Sequence, residues 1–104
     1  MLFRSDFETV DDAAEKVLEE LSEVKAACAG DDENAKTEEI GDLLFSVVNV
    51  ARLAGVDSEK ALYDACEKFL KRFSKMEKAA AEQGTDLDKL SLLELESLWE
   101  KAKK

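Results

Sequence analysis

The chain has 104 residues, 45% hydrophobic and 38% charged, with 25 acids against 15 bases and a formal net charge of −10. That balance fits one folded domain over residues 1–104 rather than a disordered chain, and so acidic a surface repels nucleic acid and anionic membranes. With no histidine in the sequence, His-based acid–base catalysis, Ser-His-Asp and Cys-His sites and ordinary zinc sites are excluded.

Proline is absent and Ala, Leu, Glu and Lys dominate, so helix is favoured throughout and nothing reads as a strand. The leading residues, MLFRSDFETV, lack the apolar core of a signal peptide. The first helix is expected from about Asp11 to Ala29, with Ala14, Val17, Leu18, Leu21, Val24 and Cys28 on one face and Gly30 as its stop. Its EELSE segment carries Glu19, Glu20 and Glu23. At roughly 100° per residue, Glu19 points away from the apolar stripe and Glu20 sits at its edge, level with Ala13 and Ala27. Glu23 lies one step further round. Alanines beside a carboxylate let a partner helix or a ligand come close, although a solvated helix edge is the plainer reading.

The second helix, about Ala35 to Ala54 with Gly55 as its stop, contains EEIGDLLFSVVNVAR and is apolar around most of its circumference. The exceptions form one line: Glu39, Asp42, Ser46 and Asn49, at steps of three, four and three. An unpaired carboxylate there would be costly, so each is ion-paired, protonated or bound to metal. Lys68 and Arg72 are available, which leaves a buried salt-bridge network as one alternative. In the other, acid pairs three apart on adjacent helices converge as oxygen ligands, a set that suits Mg²⁺ or Mn²⁺ rather than zinc or copper. The lack of Glu-x-x-His argues against a ferritin-like di-iron site. Ser46 and Asn49 continue the line, orienting ligands or bonding a neighbouring helix. Gly41, about 1 kcal/mol worse than alanine inside a helix, would be accounted for by close helix approach or by substrate access. A helix this apolar needs cover on most sides. Three short neighbours are too few, so a homodimer with a shared core is expected.

The third helix starts near Ser58, is expected to bury Leu62, Cys66, Phe69, Phe73 and Met76, and ends near Gly84. Its KFLKRF segment sets Lys68 and Arg72 on one side, beside Ala61 and Ala65. A cation pair at that spacing can hold phosphate oxygens, the alternative being a lysine-rich solvated face. Cys28 and Cys66 have no metal-binding spacing and read as reduced, core-facing thiols, which favours the cytoplasm. KMEKAAAEQGTDLDKL reads as the least anchored stretch. The fourth helix opens with Ser91 and Glu94, spaced as a capping box, and carries Leu92, Leu95, Leu98 and Trp99. The single tryptophan reads as a core anchor or, less commonly, as a stacking platform for a base. No apolar run is long enough to span a bilayer, since Ser46 and Asn49 interrupt the best candidate.

Taken in order, Glu20-x-x-Glu23, Glu39-x-x-Asp42, GDLLFSVVNVAR, SEKAL, Lys68-Phe69-x-x-Arg72-Phe73, Glu77 and Leu98-Trp99 with Ala102-Lys103 resemble the MazG family of nucleoside triphosphate pyrophosphohydrolases. The resemblance covers nearly the whole chain. The acid signature is shared by several all-α NTP pyrophosphatases, dimeric dUTPases among them, whereas the GDLLF and KFxxRF blocks resemble the catalytic, C-terminal-type MazG domain. It implies an all-α, four-helix, intertwined homodimer that hydrolyses nucleoside triphosphates to monophosphate and pyrophosphate with Mg²⁺, as nucleotide-pool house-cleaning. It further implies Glu20, Glu23, Glu39 and Asp42 as metal ligands, Lys68 and Arg72 as triphosphate contacts, and Trp99 as a nucleotide contact. Glu38, first acid of its pair, is implied to assist or activate the attacking water. The chain departs from the family pattern at Cys66, where Asn is usual, at Tyr63, where a basic residue is common, and at Thr9, where the tryptophan of a GFDW motif stands. These positions bear on base selectivity rather than on phosphate chemistry. Without the preceding MazG-like half of long members, a short form or an excised domain is expected. Two other functions stay open: a specialist dNTP pyrophosphatase, and a non-catalytic dimer or nucleotide-sensing module whose acids only pair with Lys68 and Arg72.

Overall fold

The computed structural model describes residues 8–104, so the signal-peptide reading of the leading residues falls mostly outside it. Four α-helices follow in chain order: α1 (Val10–Cys28), α2 (Glu33–Leu53), α3 (Ser58–Glu82) and α4 (Leu92–Ala102). A 3-10 turn, Leu87–Lys89, precedes α4. No strand occurs among the described residues. The helices fall into two compact units, one ending at Ser58 and one from Glu59 to Lys104.

Local chemistry sets the helix ends. Thr9 caps α1 with a capping box, its hydroxyl accepting from the Asp12 backbone N–H while the Asp12 carboxylate accepts from that of Thr9. Asp32 caps α2 by accepting from the backbone of Asn34 and Ala35, so the helix starts slightly earlier than its apolar pattern suggests. The expected Ser91–Glu94 capping box is present on α4. Gly55 and Gly84 close α2 and α3 at φ of 74° and 76°. In each case the next N–H reaches back to a carbonyl five residues earlier, Val56 to Ala51 and Thr85 to Ala80, the pattern of a glycine-terminated helix.

In the first unit α1 packs on α2. The face of α1 that closes onto it differs from the expected one. Ala13 is buried at 2% exposure, and Val17, Glu20, Val24 and Ala27 are half-buried. Their alternating four- and three-residue spacing makes a narrow seam. Leu18, Leu21 and Cys28, expected inside, are exposed instead. The physical reason is size, because small side chains on the seam let two backbones close up. On α2 the matching seam runs through Ala35, Glu39, Leu43, Ser46, Val50 and Leu53, with Ser46 buried. Ile40, Leu44, Phe45, Val47 and Val48 remain exposed. A Cβ at Gly41 would meet nothing within 4 Å, so close approach of α1 is not what requires glycine there.

The second unit centres on Met76, Leu98 and Ala102, with Ala79, Leu87, Leu90, Leu95 and Trp99 against them. Ala80 is 1% exposed. The stretch expected to be least anchored therefore supplies core residues at both of its ends. Conversely Leu62, Phe69 and Phe73 are exposed on α3, as is Cys66. Length accounts for Leu62 and Cys66: the 11 residues of α4 rise about 16 Å and the 25 of α3 about 38 Å, so α4 can cover only part of α3. Phe69 and Phe73 lie within reach of α4 but line an open cleft beside it. No described helix is long and apolar enough to cross a membrane.

A bulky residue on the α1 seam should be poorly tolerated. We expect Ala13→Leu to destabilise the protein by about 1–3 kcal/mol through overpacking, and Ala14→Leu, on the exposed side of α1, to be near neutral. Thermal and denaturant melts of the two variants would check this.

Candidate functional site

The seam between α1 and α2 brings acids from both helices together. One carboxylate oxygen each from Glu20, Glu39 and Asp42 lies within 4.8 Å of the others, with Glu20 and Glu39 half-buried and Asp42 exposed. Glu20 gets there because it occupies a seam position between Val17 and Val24, and its side chain is only 14% exposed. Glu39 is a seam residue of α2, and Asp42 follows one turn later on the neighbouring edge. Glu23 and Glu38 are exposed and are not among the three.

The cluster is electrostatically tense. The Glu39 carboxyl is pushed above the usual carboxylate range, first by desolvation and then by the charges of Asp42, Glu23, Glu38 and Glu20. Glu23 and Glu38 thus act on the cluster through space. Among the described residues of this unit, no basic side chain pairs with Glu39 or Asp42, and Lys16 lies beside the cluster, 3.3 Å from Glu20 and 3.4 Å from Glu19. The Lys16 ammonium is held above its ordinary pKa by its hydrogen bond to Glu20 and then by Glu19. This lysine was not picked out in the sequence, although its i,i+4 spacing to Glu20 was there to read.

A groove of about 590 Å³ runs along the unit, bordered by Lys16, Glu20, Asp42, Ser46 and Asn49 and reaching Glu8 and Asp12. Ser46 donates to the Leu43 carbonyl of its own helix at 2.7 Å, and Asn49 donates to Glu8 at 3.0 Å while accepting from Arg52. These two polar residues are therefore satisfied by protein partners. The three convergent carboxylates are hard oxygen donors with no nitrogen or sulfur among them, a set that fits a hard divalent cation.

In the second unit Arg72 lies over the Trp99 ring, 5.4 Å from its centroid, within cation–π range. Phe69 tilts against the same indole at 5.7 Å and stacks on Phe73 at 5.9 Å. Phe69, Phe73, Met76, Leu95, Glu96, Trp99 and Glu100 line an open cleft of about 370 Å³. Trp99 is half-buried, so it both packs against the small core and presents surface to this cleft. Lys68 stands one turn before Arg72 and is exposed.

Residues 8–76 match the family described as the MazG nucleotide pyrophosphohydrolase domain. The chain is 47% identical over 89 residues to a Thermotoga maritima protein named nucleoside triphosphate pyrophosphohydrolase/pyrophosphatase MazG, an alignment covering 86% of this chain and 34% of that protein. It is 39% identical over 101 residues to the nucleoside triphosphate pyrophosphohydrolase of Escherichia coli, covering 95% of this chain and 38% of that one. A Bacillus subtilis protein, the uncharacterized protein YabN, is 45% identical over 65 residues, 62% of this chain and 13% of its own length. The chain thus spans little more than a third of the length of the Thermotoga maritima and Escherichia coli relatives.

The strain in the cluster can be read from stability. Ionising Glu39 is opposed in the folded protein. Its stabilising contribution is therefore complete below the ordinary carboxylate pKa and is lost as pH rises through the elevated folded value. Asp42→Asn removes one repelling charge. In chelator at neutral pH we expect its melting temperature to equal or exceed that of wild type, with a flatter decline as pH rises through the carboxylate range. A clear drop would mean that Asp42 is ion-paired.

Proposed function

Because the chain belongs to the MazG nucleotide pyrophosphohydrolase family, we propose that it hydrolyses nucleoside triphosphates to nucleoside monophosphate and pyrophosphate with Mg²⁺, serving to clear the nucleotide pool. The observation that carries this reading is the convergence of Glu20, Glu39 and Asp42 from two helices, at the positions where the family signature has its acids. Glu23, one turn beyond Glu20, completes the ligand set, and Mn²⁺ can substitute. Bound there, the cation supplies charge neutralisation for the triphosphate and acidifies water.

The protein's own groups do the remaining work. Lys68 and Arg72 bind the phosphate oxygens, Arg72 as a planar fork and Lys68 as a point charge. Trp99 contacts the base through the indole surface at the cleft. With no histidine in the chain, the proton of the attacking water goes to a carboxylate, and Glu38, beside the cluster and exposed, takes that role. The chain acts as a single domain in the cytoplasm, a setting that accords with two free cysteines.

A second copy of the chain completes the fold. Leu18, Leu44 and Phe45 are 66%, 61% and 60% exposed, along with much of the rest of α2. Each such side chain, once covered, contributes about 1.5–3 kcal/mol, which supports a homodimer built on α2.

A panel of NTPs and dNTPs with Mg²⁺ tests the reaction. Pyrophosphate should appear in step with monophosphate, and release of orthophosphate alone would refute a pyrophosphohydrolase. The panel also separates a general enzyme from a dNTP specialist. For the dimer, serial dilution should lower the melting temperature, and a compact monomer with concentration-independent melting would contradict it.

A further inference from the structure

Lys16 stands one turn before Glu20 on α1, its ammonium 3.3 Å from Glu20 Oε1 and 3.4 Å from Glu19 Oε2. The two contacts are not equivalent. The Glu19 side chain is 70% exposed, at the groove's edge and outside the acid cluster, whereas that of Glu20 is 14% exposed and belongs to the convergent trio with Glu39 and Asp42. Lys16, Glu20 and Asp42 also border the same groove. A lysine on the groove and a cation held by the trio would draw on one carboxylate.

We infer that Lys16 is the built-in counter-cation of the acid cluster, which holds Glu20 when no metal is bound and must yield it when a divalent cation arrives, so that this residue sets the protein's metal affinity. The inference rests on the trio being a metal site. Two positive groups sharing one carboxylate a few ångströms apart repel each other. Either the lysine gives up its bond to Glu20, or it stays and repels the incoming ion, and both outcomes weaken binding. Lysine suits an exchangeable partner, since its charge rides on a flexible stem and its side chain is 61% exposed, free to swing outward. An ordinary i,i+4 pair on a solvated helix face has no such effect, because water screens it and its acid binds nothing else.

The test is calorimetric titration of Mn²⁺ into nucleotide-free protein, with helicity of every variant checked by circular dichroism. Lys16→Met should bind Mn²⁺ more tightly than wild type, by roughly two- to five-fold, the scale of one exposed charge pair. Lys16→Gln should do the same, and Lys16→Arg should restore affinity close to wild type. Unchanged or weaker binding in both neutral variants would overturn the inference, leaving Lys16 as a helix-surface pair or as a support for Glu20. Asp42→Asn separates the two levels of failure. If wild type binds Mn²⁺ and Asp42→Asn does not, yet Lys16→Met matches wild type, this inference alone falls. If wild type itself takes up no Mn²⁺, the metal-site reading falls and this one with it.

Discussion

Three carboxylates held within 4.8 Å of one another are the constraint on which the first half of the molecule turns. Like charges at that separation resist being packed, and the Glu39 carboxyl is raised above the usual range first by desolvation and then by these acidic neighbours. The α1–α2 seam has to supply what the charges oppose. It does so with small and medium side chains, Ala13 and Ala27 on α1 and Ala35 and Ser46 on α2, which let the helices approach closely. Capping at Thr9 and Asp32 fixes where each helix begins, and therefore which residues meet across the seam. Lys16 relieves part of the repulsion from one side only, through Glu20. Glu39 and Asp42 keep theirs.

The second half solves a different problem. Its core is small, and its largest aromatic cluster lies at the edge of that core rather than inside it. Phe69, Phe73 and Trp99 pack on one another while Phe69 stays 52% and Phe73 39% exposed. Aromatic rings arranged this way present flat apolar surface, and the Arg72 guanidinium laid over the indole places a fixed positive charge beside it. The flat apolar surface and the cation thus meet at the Trp99 indole, while the charged residues lining the cleft itself are Glu96 and Glu100. A core anchor and a contact surface need not be alternatives for Trp99, since a half-buried indole has one part for each.

Helix count, the glycine stops at Gly55 and Gly84, the Ser91–Glu94 cap and the line of acids on α2 were all legible in the sequence, because each depends on residues within a turn or two of one another. Which face of α1 closes was legible only in part, since Val17 and Val24 of the expected stripe do lie on the seam. Ranking by hydrophobicity selects Leu18 and Leu21, whereas close packing of two helices selects Ala13 and Ala27. Leu62 and Cys66 are exposed for a related reason: an apolar stripe shows which face can be covered, not whether an element long enough lies opposite it. The link between Glu8 and Asn49, 41 positions apart, had no local signal at all. The acids were legible because their spacing is helical, and Lys16, four residues before Glu20, carries the same kind of local signal; the separation of the acids across the seam depended on packing.

The chemistry of the cluster reverses sign when a cation is present. Without one, every ionised acid raises the energy of its neighbours, and the folded state gives up stability to keep them together. A divalent ion at the same point would outweigh those repulsions by attracting each carboxylate, and the desolvation that penalises the Glu39 carboxylate would strengthen its bond to the ion, because the low local dielectric acts on both. Ligand groups must be deprotonated to bind, so a carboxyl held above the usual range makes cation uptake compete with protons at mildly acidic pH. Binding and stability therefore draw on one set of charges. A protein that lacks histidine has no imidazole to offer as ligand or base near pH 7, so a cation site here would draw its side-chain charge from carboxylates alone, and the strain of the metal-free state follows from that composition.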